Sequence, residues 1–228
     1  MNAPPAFVVH CSLDTRFGRL GIRDAVPDDA DAYVKYWHFS GDRIKDLLRI
    51  DRARLGGPDD SRQRFLRLIR TPDEYQSSVL FTLTLNEVVM GYANINRYSA
   101  HENFPHIHSY MHTHRELVRD ALGRFPRHAQ LGRGSSFASV MVGLLLETYF
   151  KVLPIERVSL QTRPTSEGIN RALDNYLPVE ETHFFHKADG LAGPGVFHMR
   201  HVMRSDIAWI VDRVKAIANG THLNIPNC

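Results

Sequence analysis

The chain has little cysteine: two residues in 228, Cys11 and Cys228, near opposite ends and without Cys-x-x-Cys spacing. That excludes a framework of disulfides and makes reduced thiols the expectation. It also lacks any run of about 18 uninterrupted apolar residues, so no spanning helix is expected. The start, MNAPPAFVVHCSLD, has neither the basic opening nor the sustained apolar stretch of a signal peptide. A cytoplasmic location and no membrane partner are the resulting expectations. Strong charge is absent too. A formal net charge of +3 is too small to imply a nucleic-acid partner. The arginines between Arg43 and Arg70 are interleaved with Asp42, Asp46, Asp51, Asp59 and Asp60, the pattern of solvated helix faces.

What is present suits one core. With 43% hydrophobic and 23% charged residues, the chain is long enough to bury a substantial interior and short for two independent domains. We read residues 1–228 as one domain, with helical insertions at about 41–70 and 113–130. After an irregular start, Arg19 to Ala25 reads as a strand, and Val26-Pro27-Asp28-Asp29 turns into a helix ending near His38. Helical segments follow at about Asp42 to Arg54 and from Pro58. The runs Val79 to Leu85 and Val88 to Ile95, separated by Asn86-Glu87, predict an antiparallel hairpin. A third strand, Pro105 to His112, follows. Beyond a polar insertion come the segment Arg133 to Phe150, a strand Arg157 to Thr162, a helix Pro164 to Tyr176, two closing strands and an amphipathic helix over 205–219.

In GRGSSFASVMVGLLLETYF a loop of small residues opens directly into an apolar helix. Small residues allow close backbone approach to a ligand, and the free N–H groups of a helix start attract phosphate oxygens. Arg133 can add a charge-assisted contact. On spacing alone, any buried helix could begin this way. The order of elements adds more: a strand and helices, a hairpin and third strand, a small-residue loop with a buried helix, then strand, helix and two strands. From about Arg19 to Met203 this resembles the GNAT superfamily of acyl-CoA-dependent N-acyltransferases. The resemblance implies an α/β (α+β) fold, with a mixed, mostly antiparallel sheet flanked by helices. The family's loop, R-x-x-G-x-G/A, is similar to Arg133-Gly134-Ser135-Ser136-Phe137-Ala138, and Leu144-Leu145-Leu146-Glu147 continues its helix. Ser136 replaces the first glycine, and Gly132 and Gly134 offer a second register. These residues are the implied pyrophosphate site.

The later family segment, P-x-N-x-x-A-x-x-L-Y, aligns Pro164 with the proline and Ser166 with the cofactor-side asparagine. It places Leu173 where the family often has a tyrosine acid. Leucine cannot deliver a proton, so Tyr176, three residues on, is the substitute candidate, or else an aromatic packing residue.

Thirteen histidines are many for this length. His106, His108, His112 and His114 share parity with Tyr110, so an extended strand would project all five from one face. Four imidazoles spread over about 26 Å exceed one zinc ion's reach, although His106 and His108 could supply two ligands. No metal is expected. Acyl transfer needs a base near neutral pKa to deprotonate an amine, a role that suits His108 or His106. The resemblance places Tyr110, Met111 and His112 at the thioester by location. His183, His198 and His201 are candidates for the acceptor side, or ordinary strand residues.

The expected function is transfer of an acetyl or other acyl group from CoA to a primary amine by direct attack in a ternary complex. The donor is acetyl-CoA, a longer acyl-CoA or an acyl carrier protein's thioester, and a homodimer is compatible with the fold. Two alternatives stand: a non-catalytic module binding a thioester or a protein, and a histidine-based metal hydrolase.

Overall fold

The computed structural model describes residues 7–15, 18–39, 52–70, 78–97, 107–113, 137–174, 177, 180–185 and 195–219. Eight strands form one sheet in the order β1-β2-β3-β4-β5-β6-β8-β7. They are β1 (Val9–Thr15), β2 (Gly18–Asp24), β3 (Ser78–Leu85), β4 (Val88–Arg97), β5 (Ile107–Thr113), β6 (Arg157–Thr162), β7 (Glu181–Phe185) and β8 (Gly195–Met203). Every neighbouring pair is antiparallel except β5 and β6. The start read as irregular is thus strand β1, paired with β2. Its burial alternates only weakly, as an edge strand allows, which is why the apolar pattern is faint.

The β3–β4 hairpin forms where expected. Asn86 and Glu87 have φ of 48° and 68°, the two left-handed central residues that match a tight turn to strand twist. The turn is tied to its neighbour: Asn86 Oδ1 accepts from Arg19 N at 2.9 Å. Gly18, at φ +124°, leaves the room, since a Cβ there would lie 2.3 Å from that amide oxygen.

Alternation along β3 feeds two cores. Phe81, Leu83 and Leu85 enter one that includes α4 (Phe137–Val152), α5 (Glu167–Asp174) and α6 (Ile207–Ala218). Leu80 enters the other, beneath α1 (Ala30–Phe39) and α3 (Pro58–Arg70). A short helix α2 (Arg52–Leu55) precedes α3, and residues 42–51 of the second expected helical segment lie outside the described residues.

The start of α1 is fixed by a buried carboxylate. Asp29 accepts two 2.7 Å bonds from the Arg23 guanidinium, 2.6 Å from Thr82 Oγ1 and 2.9 Å from Val26 N. This pairing satisfies a charge that burial would otherwise penalise. Tyr33, Phe65 and Tyr92 pack beside it with ring centroids 4.6–5.2 Å apart.

Helix α4 is buried on nearly every side, which explains its continuous apolar sequence. Its crossing with α6 is tight: a Cβ on Gly143 would fall 2.3 Å from Val214 Cγ2. Valine is stiff at χ1 and cannot swing clear. Gly143→Ala should therefore cost about 1–3 kcal/mol by overpacking, outweighing the roughly 1 kcal/mol gain in helix propensity. Val214→Ala in the same chain should restore part of the loss in a denaturation double-mutant cycle.

Candidate functional site

The one parallel junction is also the shortest. Among the described residues β5 and β6 share a single register pair, His108 with Ser159. β5 stays paired with β4 throughout, from Arg97 with Ile107 to Gly91 with Thr113. The shared pair lies near the amino ends of both strands, so β5 and β6 diverge toward their carboxyl ends. From Ser109 to Thr113, backbone N–H and C=O groups on the β6 side of β5 are outside any ladder among the described residues. Such groups seek hydrogen bonds, and an extended, amide-bearing ligand can supply them as an added strand does.

Helix α4 points at this opening. Its end connects through residues 153–156 to the start of β6. Its 16 residues span about 24 Å, close to the length of the strands it crosses. The amino end of α4 therefore lies at the open, carboxyl end of β5 and β6, the side on which α/β sheets bind ligands. The far end is clasped by Arg204, which donates to the carbonyls of Phe150 (2.6 Å), Leu153 (3.0 Å) and Ile155 (3.0 Å). A cation among the last carbonyls also complements the helix dipole.

β6 leaves the sheet at the same open end. Arg163 to Ser166 form a turn, closed by Ser166 N donating to Arg163 O at 2.9 Å, and the helix begins at Glu167 instead of Pro164. Proline and threonine occupy the turn, and the Asn170 side chain binds the Arg163 carbonyl at 2.7 Å. Arg200 on β8 holds this corner. It is fully buried and donates to Leu177 O (2.8 Å), Thr162 Oγ1 (2.7 Å), Asn170 Oδ1 (3.1 Å) and Asp174.

The face of the opening is set by register. Positions 108, 110 and 112 of β5 pair with Asn96, Asn94 and Tyr92 of β4, so they fall on the α1/α3 side of the sheet, where Tyr92 is packed. Ser159 continues that row on β6 and His201 on β8. Ser159 Oγ lies 2.9 Å from His201 Nδ1. Ser159 is fully buried and His201 half-buried. His198, three residues earlier, falls on the opposite face, opposite Thr162. His183 pairs opposite Phe197, exposed, and bonds to Glu181. That bond, more than the nearby charges of His183, His201 and Arg157, holds the Glu181 carboxyl below the usual carboxylate range.

The described tyrosines of the α1/α3 core are poor acids. Burial pushes Tyr36 up to about 12, and Tyr33 and Tyr92 higher still. Leu173, at the position of the family's tyrosine, is 1% exposed and part of the core.

Of the candidates from sequence, His108, Tyr110, Met111 and His112 lie along β5 beside the opening. Phe137 and Ala138 are the first two residues of α4, and Ser166 sits at the turn entering α5. His106, Arg133, Gly134, Ser135, Ser136 and Tyr176 lie outside the described residues. Sequence reasoning passed over Ser159, Asn170 and Arg200. A serine between Val158 and Leu160, and an arginine two residues before Val202 in a closing strand, were the available signals. No helix among the described residues is long and apolar enough to cross a membrane. Among those residues no three His, Cys, Asp or Glu side chains are grouped to hold a metal.

No family model and no curated protein matches the sequence. Solved structures do match the fold. RimJ of Mycobacterium smegmatis, in complex with CoA-disulfide, superposes with a TM-score of 0.61 at 14% identity, over 92% of this chain and 94% of that one. A GNAT-family acetyltransferase from Bacillus anthracis gives 0.56 at 12% identity, over 87% and 99%. Spermidine N-acetyltransferase from Vibrio cholerae, in complex with CoA and spermine, gives 0.51 at 10% identity, over 83% and 98%.

Proposed function

The chain has the fold of the GNAT acetyltransferases, and from that premise we propose that it is an N-acyltransferase using acetyl-CoA or another acyl-CoA as donor and a primary amine as acceptor. The observation that carries this reading is the divergence of β5 and β6 after one register pair, with the amino end of a buried helix at the open side. The β6-facing backbone groups of residues 109–113, outside any ladder among the described residues, suit the two amides of a pantetheine arm. By its sequence the segment from Arg133 to Ala138 suits the pyrophosphate, through helix-start N–H groups and one arginine, and Ser166 at the turn into α5 is a further candidate contact.

In the reaction, the amine nitrogen attacks the thioester carbonyl within a ternary complex. His108, at the last shared register position, takes the amine proton. Backbone N–H groups of β5 stabilise the oxyanion. The carbon–sulfur bond then breaks, and the thiolate needs a proton that Leu173 cannot give.

Calorimetric titration with acetyl-CoA should show saturable binding. Thiol release should follow when spermine, lysine or a short alanyl peptide is added. Absence of both would overturn the reading. The burial of Leu173 favours a second one, a thioester-binding module without turnover, for which binding would occur and the thioester would persist.

A further inference from the structure

Resting on the acyl-transfer reading, we propose that Ser159 and His201 supply the proton that the departing thiolate requires. Ser159 occupies the last register position before the strands part, directly across from His108. A thioester whose arm runs along the unladdered edge of β5 would have its sulfur at this apex. The serine lies between two core residues, Val158 and Leu160, and is itself fully buried. It is not isolated there: His201 Nδ1 lies 2.9 Å away. The histidine ring is only half-buried, so the pair runs from the closed apex toward water.

Neither member suffices alone. A serine hydroxyl is too weak an acid to protonate a thiolate without a proton source behind it, and a protonated imidazole in hydrogen-bond contact is such a source. The step balances. The ammonium first loses one proton to the His108 imidazole, which returns it to solvent; the freed amine nitrogen then bonds to the carbonyl carbon, and its second surplus proton passes to the same imidazole. The carbon–sulfur bond breaks with its electron pair on sulfur. Sulfur takes the Ser159 Oγ proton while Oγ takes the Nδ1 proton of protonated His201, which recovers one from solvent.

The charged and titratable groups around His201 lie on or beside three strands. Glu180, whose carboxylate accepts from His201 N at 3.4 Å, stands just before β7, and Glu181 and His183 lie on β7. Arg157 lies two residues before Ser159 on β6, and His108 is across the apex on β5. Ser159 is on this account a catalytic residue, and His201, acting through it, a positioning and proton-supplying one. The role falls to β6 and β8 because the helix position that usually holds the acid is filled by a core leucine.

The test uses the full chain with acetyl-CoA as donor and spermine, lysine and a short alanyl peptide as acceptors. Ser159→Ala should lower turnover about 100-fold while the calorimetric affinity for acetyl-CoA is unchanged. His201→Gln preserves a hydrogen-bond donor to Oγ but cannot titrate. It should lower turnover about tenfold and abolish the decline in rate expected of wild type as rising pH takes the proton from His201. Turnover of Ser159→Ala at the wild-type level, or an unaltered pH profile in His201→Gln, overturns the proposal. If wild type itself neither binds acetyl-CoA nor releases thiol, the acyl-transfer reading falls with it, so the two failures are distinct. His201→Gln changes a half-buried position and keeps the test open should the buried substitution impair folding.

Discussion

Acyl transfer by His108→Ala is expected to be slower than wild type by about 10²- to 10⁴-fold, with the affinity for acetyl-CoA unchanged. An alkylamine has a pKa near that of lysine, about 10.4, and is protonated at pH 7, where it has no lone pair for attack. A base titrating near neutrality removes that barrier. Among the β5 positions on the α1/α3 side, only 108 shares a register pair with β6, and so stands where the arm and the acceptor would meet. Removing the imidazole there leaves the backbone edge and the helix start intact, which is why kcat should fall without loss of binding. The rise of kcat with pH through the histidine range should disappear as well. Unchanged turnover would remove His108 from the mechanism.

Arg200→Met should destabilise the fold by about 3 kcal/mol, read as a lower urea midpoint with an unchanged slope. The guanidinium is fully buried and serves four groups: the Leu177 carbonyl after α5, Thr162 at the end of β6, and Asn170 and Asp174 on α5. A methionine of similar volume keeps the packing but leaves the buried Leu177 carbonyl and the Asn170 amide without this donor. Asp174 is about half exposed (52%) and can return to water, which keeps the loss at the lower end for a broken buried ion pair. The same substitution should weaken acetyl-CoA binding, because Arg200 fixes the turn from Arg163 to Ser166 at the mouth of the opening. A variant as stable as wild type would show that this network contributes nothing net.

Much of the scaffold was legible from local physics. The β3–β4 hairpin follows from two alternating runs around Asn86-Glu87, and α4 from an apolar stretch after small residues. α6 follows from helical spacing, although of the side expected to be buried, Val211 is only half-buried while Ile210 and Val214 are in the core. Edge strand β1 was not legible, because only Cys11 in it is buried and the other residues stay partly or fully exposed, so its sequence carries little apolar alternation. Helix α5 starts three residues after Pro164, because Pro164 and Thr165 make the turn out of β6 and leave helix formation to Glu167.

The candidate site divides in the same way. Sequence alone determined the residue types: histidines at alternate positions of one strand, small residues before a buried helix, and a leucine where an acid is usual. These properties live within a few residues of one another, and periodicity or spacing exposes them. Only the tertiary structure decided that β5 and β6 part after His108 and Ser159, that Ser159 meets His201, and that Arg200 ties α5 to the end of β6. Those facts depend on pairings 42 residues apart for Ser159 with His201 and 38 for Arg200 with Thr162. No local pattern encodes such a pairing, because strand order and register are settled by the burial of both sheet faces at once.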